Sequence, residues 1–135
     1  RSISSNAVLD IHTDKIGRVW IATQGGLNYY DATTNSFGHF MEEDGLPHNT
    51  ILTIEEADDG KLWVSTPNGI SAVTVTADQG VMKASFRNYD EADGLQGKQF
   101  NENASLKTRA GEMIFGGPNG FNIFIPENLQ LNNHL

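Results

Sequence analysis

The chain has 135 residues, a formal net charge of −8 from nine basic and seventeen acidic side chains, and no cysteine. Phosphate recognition needs clustered Lys and Arg, so this balance argues against nucleic acid and against an anionic membrane surface as partners. It also leaves no disulfide framework or thiolate metal site, and no apolar run approaches the roughly 20 residues of a membrane-spanning helix.

Along the chain, short segments rich in β-branched and aromatic residues alternate with turn signals. The first group of predicted strands lies near 7–12, 18–23, 26–30 and 36–40, and the second near 50–56, 61–66, 69–76 and 82–89. A third group covers 100–107, 112–116 and 120–125, after which "PENLQLNNHL" reads as a departure without a fourth strand. Asp59-Gly60 lies between two apolar runs and reads as a hairpin turn. In "TPNG", Pro67 presets φ while Asn68 and Gly69 tolerate the left-handed conformation.

These groups repeat one another. "GRVWIATQGGL" returns as "GKLWVSTPNGI", with Gly17, Trp20, Gly26 and Leu27 matched by Gly60, Trp63, Gly69 and Ile70, each 43 positions on. A third copy, "GEMIFGGPNGF", lies 51 further, with Gly111, Pro118, Asn119 and Gly120 matching Gly60, Pro67, Asn68 and Gly69. The linkers repeat as well: Asp44-Gly45-Leu46 recurs as Asp93-Gly94-Leu95, and Asn6, Asn49 and Asn101 open similar segments. A period in the forties suits propeller blades or helical pairs. No apolar helical periodicity survives ten residues without a Gly, Pro or Asn-Asp break, so the blades are preferred. The fold class is all-β, with four-stranded antiparallel blades: two full blades and a three-stranded third in an incomplete ring. Blade 1 spans about 5–41, blade 2 about 48–90 and the last blade about 99–126, leaving 127–135 as an exit segment.

The pattern N-x-x-L-x-x-I, D-G-x-[LV]-W-[IV]-[AS]-T-x-x-G-[LI], [FY]-x-x-x-D-G-L resembles the two-component regulator propeller repeat. The first copy departs at Ile16, where that family has a turn residue such as Asp. "FNENASLKTRAGEMIFGGPNGFNIFIPENL" resembles the last blade such propellers carry before a connector domain. The resemblance implies a fragment of the periplasmic, ligand-sensing region of a hybrid two-component system, often devoted to glycans, with a membrane span and histidine kinase elsewhere in the intact protein. It implies no catalysis by this segment, no cofactor and no membrane contact. The partners would be the remaining blades or other copies of the fragment, and an oligosaccharide in the intact protein. The alternatives are a stand-alone propeller interaction module, or part of a propeller-type polysaccharide lyase or hydrolase.

Trp20 and Trp63 could stack on sugars, but they recur at the repeat period, which favours packing between blades. Asn6, Asn49 and Asn101 could line a channel rim, although an Asn at a strand entry more simply bonds backbone. Gly60, Gly69 and Gly120 are structural turn positions. His12, His39, His48 and His134 lack metal-ligand spacing, and "ADDGK" lacks the alternating oxygens of a calcium loop. Glu42, Glu43, Asp44, Glu91 and Asp93 read as solvated linker residues. Better candidates lie where the repeat fails. The last linker is three residues longer and carries Lys98, Gln99 and Glu102, and His48 is unmatched in the other copies. Those four are the candidate ligand-binding residues, against the plainer reading that an altered last blade locks the ring.

Overall fold

Two kinds of tight turn fold each repeat into a meander. A computed structural model describes residues 3–32, 35–78, 81–127 and 130–134. The first sheet contains β1 (Val8–Thr13), β2 (Val19–Thr23), β3 (Gly26–Asp31) and β4 (Ser36–Phe40). The second contains β5 (Thr53–Glu56), β6 (Leu62–Thr66), β7 (Gly69–Asp78) and β8 (Val81–Tyr89). The third contains β9 (Ser105–Lys107), β10 (Met113–Gly117), β11 (Gly120–Ile125) and β12 (Gln130–His134). Every sheet is antiparallel with its strands in chain order. The inner strands β1, β5 and β9 lie side by side, so the sheets are three blades of an open arc.

Two findings differ from the sequence expectation. The third blade is four-stranded: β12 falls in the predicted exit segment and pairs along β11 from Phe121↔His134 to Ile125↔Gln130. "QLNNH" has little intrinsic strand preference, and the open edge of β11 supplies the pairing that propensity does not. The inner strands also begin later than predicted, at Thr53 and Ser105. The residues before them turn towards the preceding blade, Ile51 N–H donating to Thr23 O at 2.9 Å and Phe100 N–H to Thr66 O at 3.3 Å. Each linker thereby stitches a new blade to the old one.

The core lies between blades. Trp20, Leu27, Ile54, Val64 and Val73 fill the space between the first and second sheets. Trp63, Ile70, Leu95, Phe115 and Phe124 fill that between the second and third. Phe40 meets Phe86 edge-on at 5.8 Å across the first interface, and Trp63 meets Phe124 at 5.0 Å across the second. Trp20 and Trp63 therefore pack between blades, where the period places them.

Candidate functional site

The face formed by the linkers and the β2–β3-type loops carries all four candidate residues. Each linker contains one 3-10 turn, Glu42–Asp44 or Glu91–Asp93, closed by its own aspartate. Asp44 accepts from Met41 N–H at 2.9 Å, and Asp93 from Asp90 N–H at 3.0 Å. The following Leu46 and Leu95 are buried anchors. Asp44 and Asp93 thus cap turns, while Glu42, Glu43 and Glu91 are exposed.

His48 is half-buried, and its Nδ1 accepts from Thr50 N–H at 2.9 Å. Asn49 accepts from Glu42 N–H at 2.8 Å, the backbone role that its recurrence suggested. Asn6 and Asn101 are exposed, and no side-chain bond is seen for either among the described residues. Lys98, Gln99 and Glu102 are exposed together on the longer linker, their side chains turned to solvent. Their backbone is structural, with Lys98 O accepting from Gly69 N–H at 2.5 Å and Gln99 O accepting from Gln96 Nε2 at 2.9 Å. His48 sits on the other linker, and no hydrogen bond or ion pair joins it to the three among the described residues.

Sequence reasoning passed over Gln96, which organises the longer linker. In the first two blades Thr23 and Thr66 each accept from a loop N–H and donate to the glycine carbonyl that follows. The third blade has Gly117 at that position. Gln96, 7% exposed, reaches in instead, and its Oε1 accepts from Asn119 N–H at 3.0 Å. A Cβ on Gly117 would lie 2.3 Å from Gln96 Nε2, so the glycine is what admits the glutamine. Gln96 N–H also donates to buried Asn122 at 2.7 Å. The threonine-to-glycine change between copies was the available signal.

On the opposite face, the inner strands are tied across blades. His12 Nε2 and Glu56 Oε1 are 2.8 Å apart, and the same carboxylate accepts from Lys15 N–H at 3.2 Å. Asp10 accepts from Ile54 N–H at 2.9 Å, and Glu55 from Ser105 Oγ at 2.6 Å. Asp58, in the predicted "ADDGK" hairpin, pairs with Lys107 at 2.5 Å, and that bond holds its pKa below the ordinary carboxylate value.

One charged cluster is internal. Asp14 is 6% exposed. Its Oδ1 accepts from Ile16 N–H (3.2 Å) and Arg18 N–H (2.8 Å), and its Oδ2 from Arg18 Nε (2.7 Å) and Trp20 Nε1 (2.9 Å). Burial acts to raise its pKa, but the bonds from Trp20 and Arg18 together outweigh it and hold the carboxyl below its ordinary value. Asp14 thereby performs the turn duty that Ile16 cannot. In the second blade Ala57 occupies the matching position, and the Nε1–H of Trp63, though buried, has no acceptor.

Residues 2–25 and 45–68 match the family model described as "Two component regulator propeller". Over 65 residues, 44% of this chain and 5% of the relative, it is 34% identical to histidine kinase P4 of Formosa agariphila. Among solved structures, it is similar to the extracellular domain of the BT3049 hybrid two component system of B. thetaiotaomicron. The identity is 30% and the TM-score 0.79, covering 92% of this chain and 16% of that one. The extracellular domain of the BT4673 hybrid two component system of the same organism gives 27% identity and a TM-score of 0.75, covering 96% and 18%. The chain thus spans less than a fifth of the length of each relative.

Proposed function

Because this chain carries two-component regulator propeller repeats and is homologous to extracellular domains of hybrid two-component systems, we propose that it is part of the extracytoplasmic ligand-sensing propeller of such a system, responsive to a glycan and itself non-catalytic. The similarity to the BT3049 extracellular domain over 92% of the chain carries this reading. The glycan class follows from the family resemblance. The extracellular assignment of those relatives supports a periplasmic location.

Further blades are the partners that the end faces suit. On β9 and β11, Leu106, Phe121 and Ile125 are 56%, 41% and 40% exposed, and Ile11 on β1 is 62% exposed. Leu106 and Phe121 stand where His12 and Leu27 of the first blade meet their neighbour. Apolar faces of this kind are covered when a ring closes. A ligand on the linker face would meet His48 from one linker and Lys98, Gln99 and Glu102 from the next, and its binding would act by favouring one arrangement of rigid blades over another.

The decisive experiment is to determine the coding sequence downstream of Leu135. A membrane span followed by histidine-kinase motifs is expected. A reading frame ending without either would overturn the sensor reading in favour of a stand-alone interaction module.

A further inference from the structure

The blades differ most on the face that the second turns to the third. In the first blade, Tyr29 sits beside Trp20 and spreads over Gly38, where a Cβ would come within 2.2 Å of the ring. Asp14 occupies the adjoining space, held by Arg18 and the Trp20 N–H. The repeat register places Ala72, Ala57 and Lys61 of the second blade at the positions of Tyr29, Asp14 and Arg18. One ring and one carboxylate are thereby subtracted, while the cation and the indole donor remain.

Beside Trp63 and Ala72 lies a cleft of about 360 Å³, which Ala57, sealed in the core, does not line. Two cross-strand rows form its floor: Trp63, Ala72 and Arg87, and beside them Thr74 and Ser85 below Lys61. Pro126 and Glu127 of the third blade close one side. The Arg87 guanidinium stands over the Tyr89 ring at 5.3 Å. No ion pair joins Lys61 or Arg87 to Glu127 among the described residues. Among the described residues, Trp63 Nε1–H and Ser71 Oγ are buried without a hydrogen-bond partner. Two cations around small residues and aromatic rings, in a chain of net charge −8, form a local anion-binding environment rather than a consequence of overall charge.

We propose that this inter-blade cleft binds a ring bearing a carboxylate. The carboxylate lies between Lys61 and Arg87, and the ring lies against the aromatic side chains of Trp63 and Tyr89 that line the cleft. Arg87 supplies a planar double donor and Lys61 a mobile single charge, so the first fixes orientation and the second adds attraction. Two common sources present this chemistry, a uronic-acid sugar and an aromatic carboxylate. The site stands on the cleft's own residues: the downstream sequence decides the sensor reading, and ligand binding decides this one.

The test is an NMR titration of the ¹⁵N-labelled chain with glucuronate, benzoate, glucose and acetate, following the two indole N–H resonances. At least one ring acid is expected to shift the Trp63 resonance saturably, with a Kd of about 1 mM. The Trp20 resonance, locked by Asp14, stays in place. Glucose and acetate bind at least about tenfold more weakly, since each lacks half of the ligand. Binding by glucuronate alone assigns a sugar acid, by benzoate alone an aromatic acid, and by both the shared chemistry. Lys61→Met and Arg87→Gln change exposed side chains; each should weaken binding about tenfold with an unchanged melting curve. Ala72→Tyr rebuilds the first blade's filler and should abolish binding in a folded protein. No saturable shift with either ring acid, glucose binding as tightly as glucuronate, or full binding by the Lys61→Met/Arg87→Gln double variant would each overturn the proposal.

Discussion

Replacing Asp14 by Ala removes the acceptor of four hydrogen bonds, two of them from the Arg18 and Trp20 side chains. Hydrogen bonds to a charged group each contribute roughly 1.5–3 kcal/mol, and an orphaned buried donor costs roughly 1–3 kcal/mol. The terms do not simply add. The Arg18 side chain is 24% exposed and can turn to water, whereas the Trp20 N–H is sealed at 0% exposure. The second blade tolerates the unpaired arrangement at Ala57 and Trp63, which sets an upper bound on the damage. A loss of about 3 kcal/mol is expected for Asp14→Ala, measured by urea unfolding at neutral pH with tryptophan fluorescence as the signal.

Asp14→Asn keeps the side-chain shape and removes the charge, so it isolates the pH term. The folded-state pKa of Asp14 is depressed. Its extra stability is therefore complete above the unfolded-state pKa of about 4 and disappears as pH falls through the lower folded value. The stability gap between the wild type and Asp14→Asn should be constant from neutrality to about pH 5 and then shrink below about pH 4. A gap unchanged down to pH 2, or an Asp14→Ala loss under about 0.5 kcal/mol, would refute the reasoning.

Trp63→Ala should cost about 3–5 kcal/mol by opening a cavity between blades. Trp63→Phe should cost far less than Trp20→Phe in the same urea assay, because only Trp20 has an acceptor to strand; equal losses would count against that assignment. Gly69→Ala places a Cβ 2.2 Å from Tyr89 O at a φ of 106°, and a drop of at least about 2 kcal/mol is expected. The isolated chain should self-associate through its end faces. A sharp monomer by light scattering at micromolar concentration would show that those faces do not drive association.

The period and the turn residues made the blades legible, because each strand–turn–strand unit solves the same packing problem. Trp20 and Trp63 could be placed between blades for that reason alone. The strand entries were less legible: 50–52 and 100–104 have strand-like composition, but their bonding is set by the preceding blade. β12 was missed because Gln130–His134 owes its conformation to the edge it pairs with. On the linker face, exposure of Lys98, Gln99 and Glu102 followed from their polarity. The buried role of Gln96 did not, since nothing local distinguishes it from Gln99 three residues on.

That contrast qualifies the idea that function lies where a repeat fails, because some failures are compensated inside the fold. Asn28 accepts from Ser4 N–H, and Asn122 from Gln96 N–H. The second blade has Ser71 at the asparagine position and Pro47, which has no N–H to offer, at the donor position. Donor and long acceptor are absent together. Gly117 and Gln96 form a second matched exchange. The Gly117–Gln96 exchange preserves the hydrogen-bond account and needs no ligand, whereas Ser71 Oγ stays buried without a partner. The replacement of Tyr29, Asp14 and Arg18 by Ala72, Ala57 and Lys61 is different. Arg87 stands opposite Ala72 where Gly38 stands opposite Tyr29, and Ala57 is sealed in the core, yet a cleft remains beside them and Trp63 keeps a donor with nothing to receive it. Pairing each deviation with its structural partner separates the two kinds, and an unmatched one that opens a cleft is where something from outside the chain can bind.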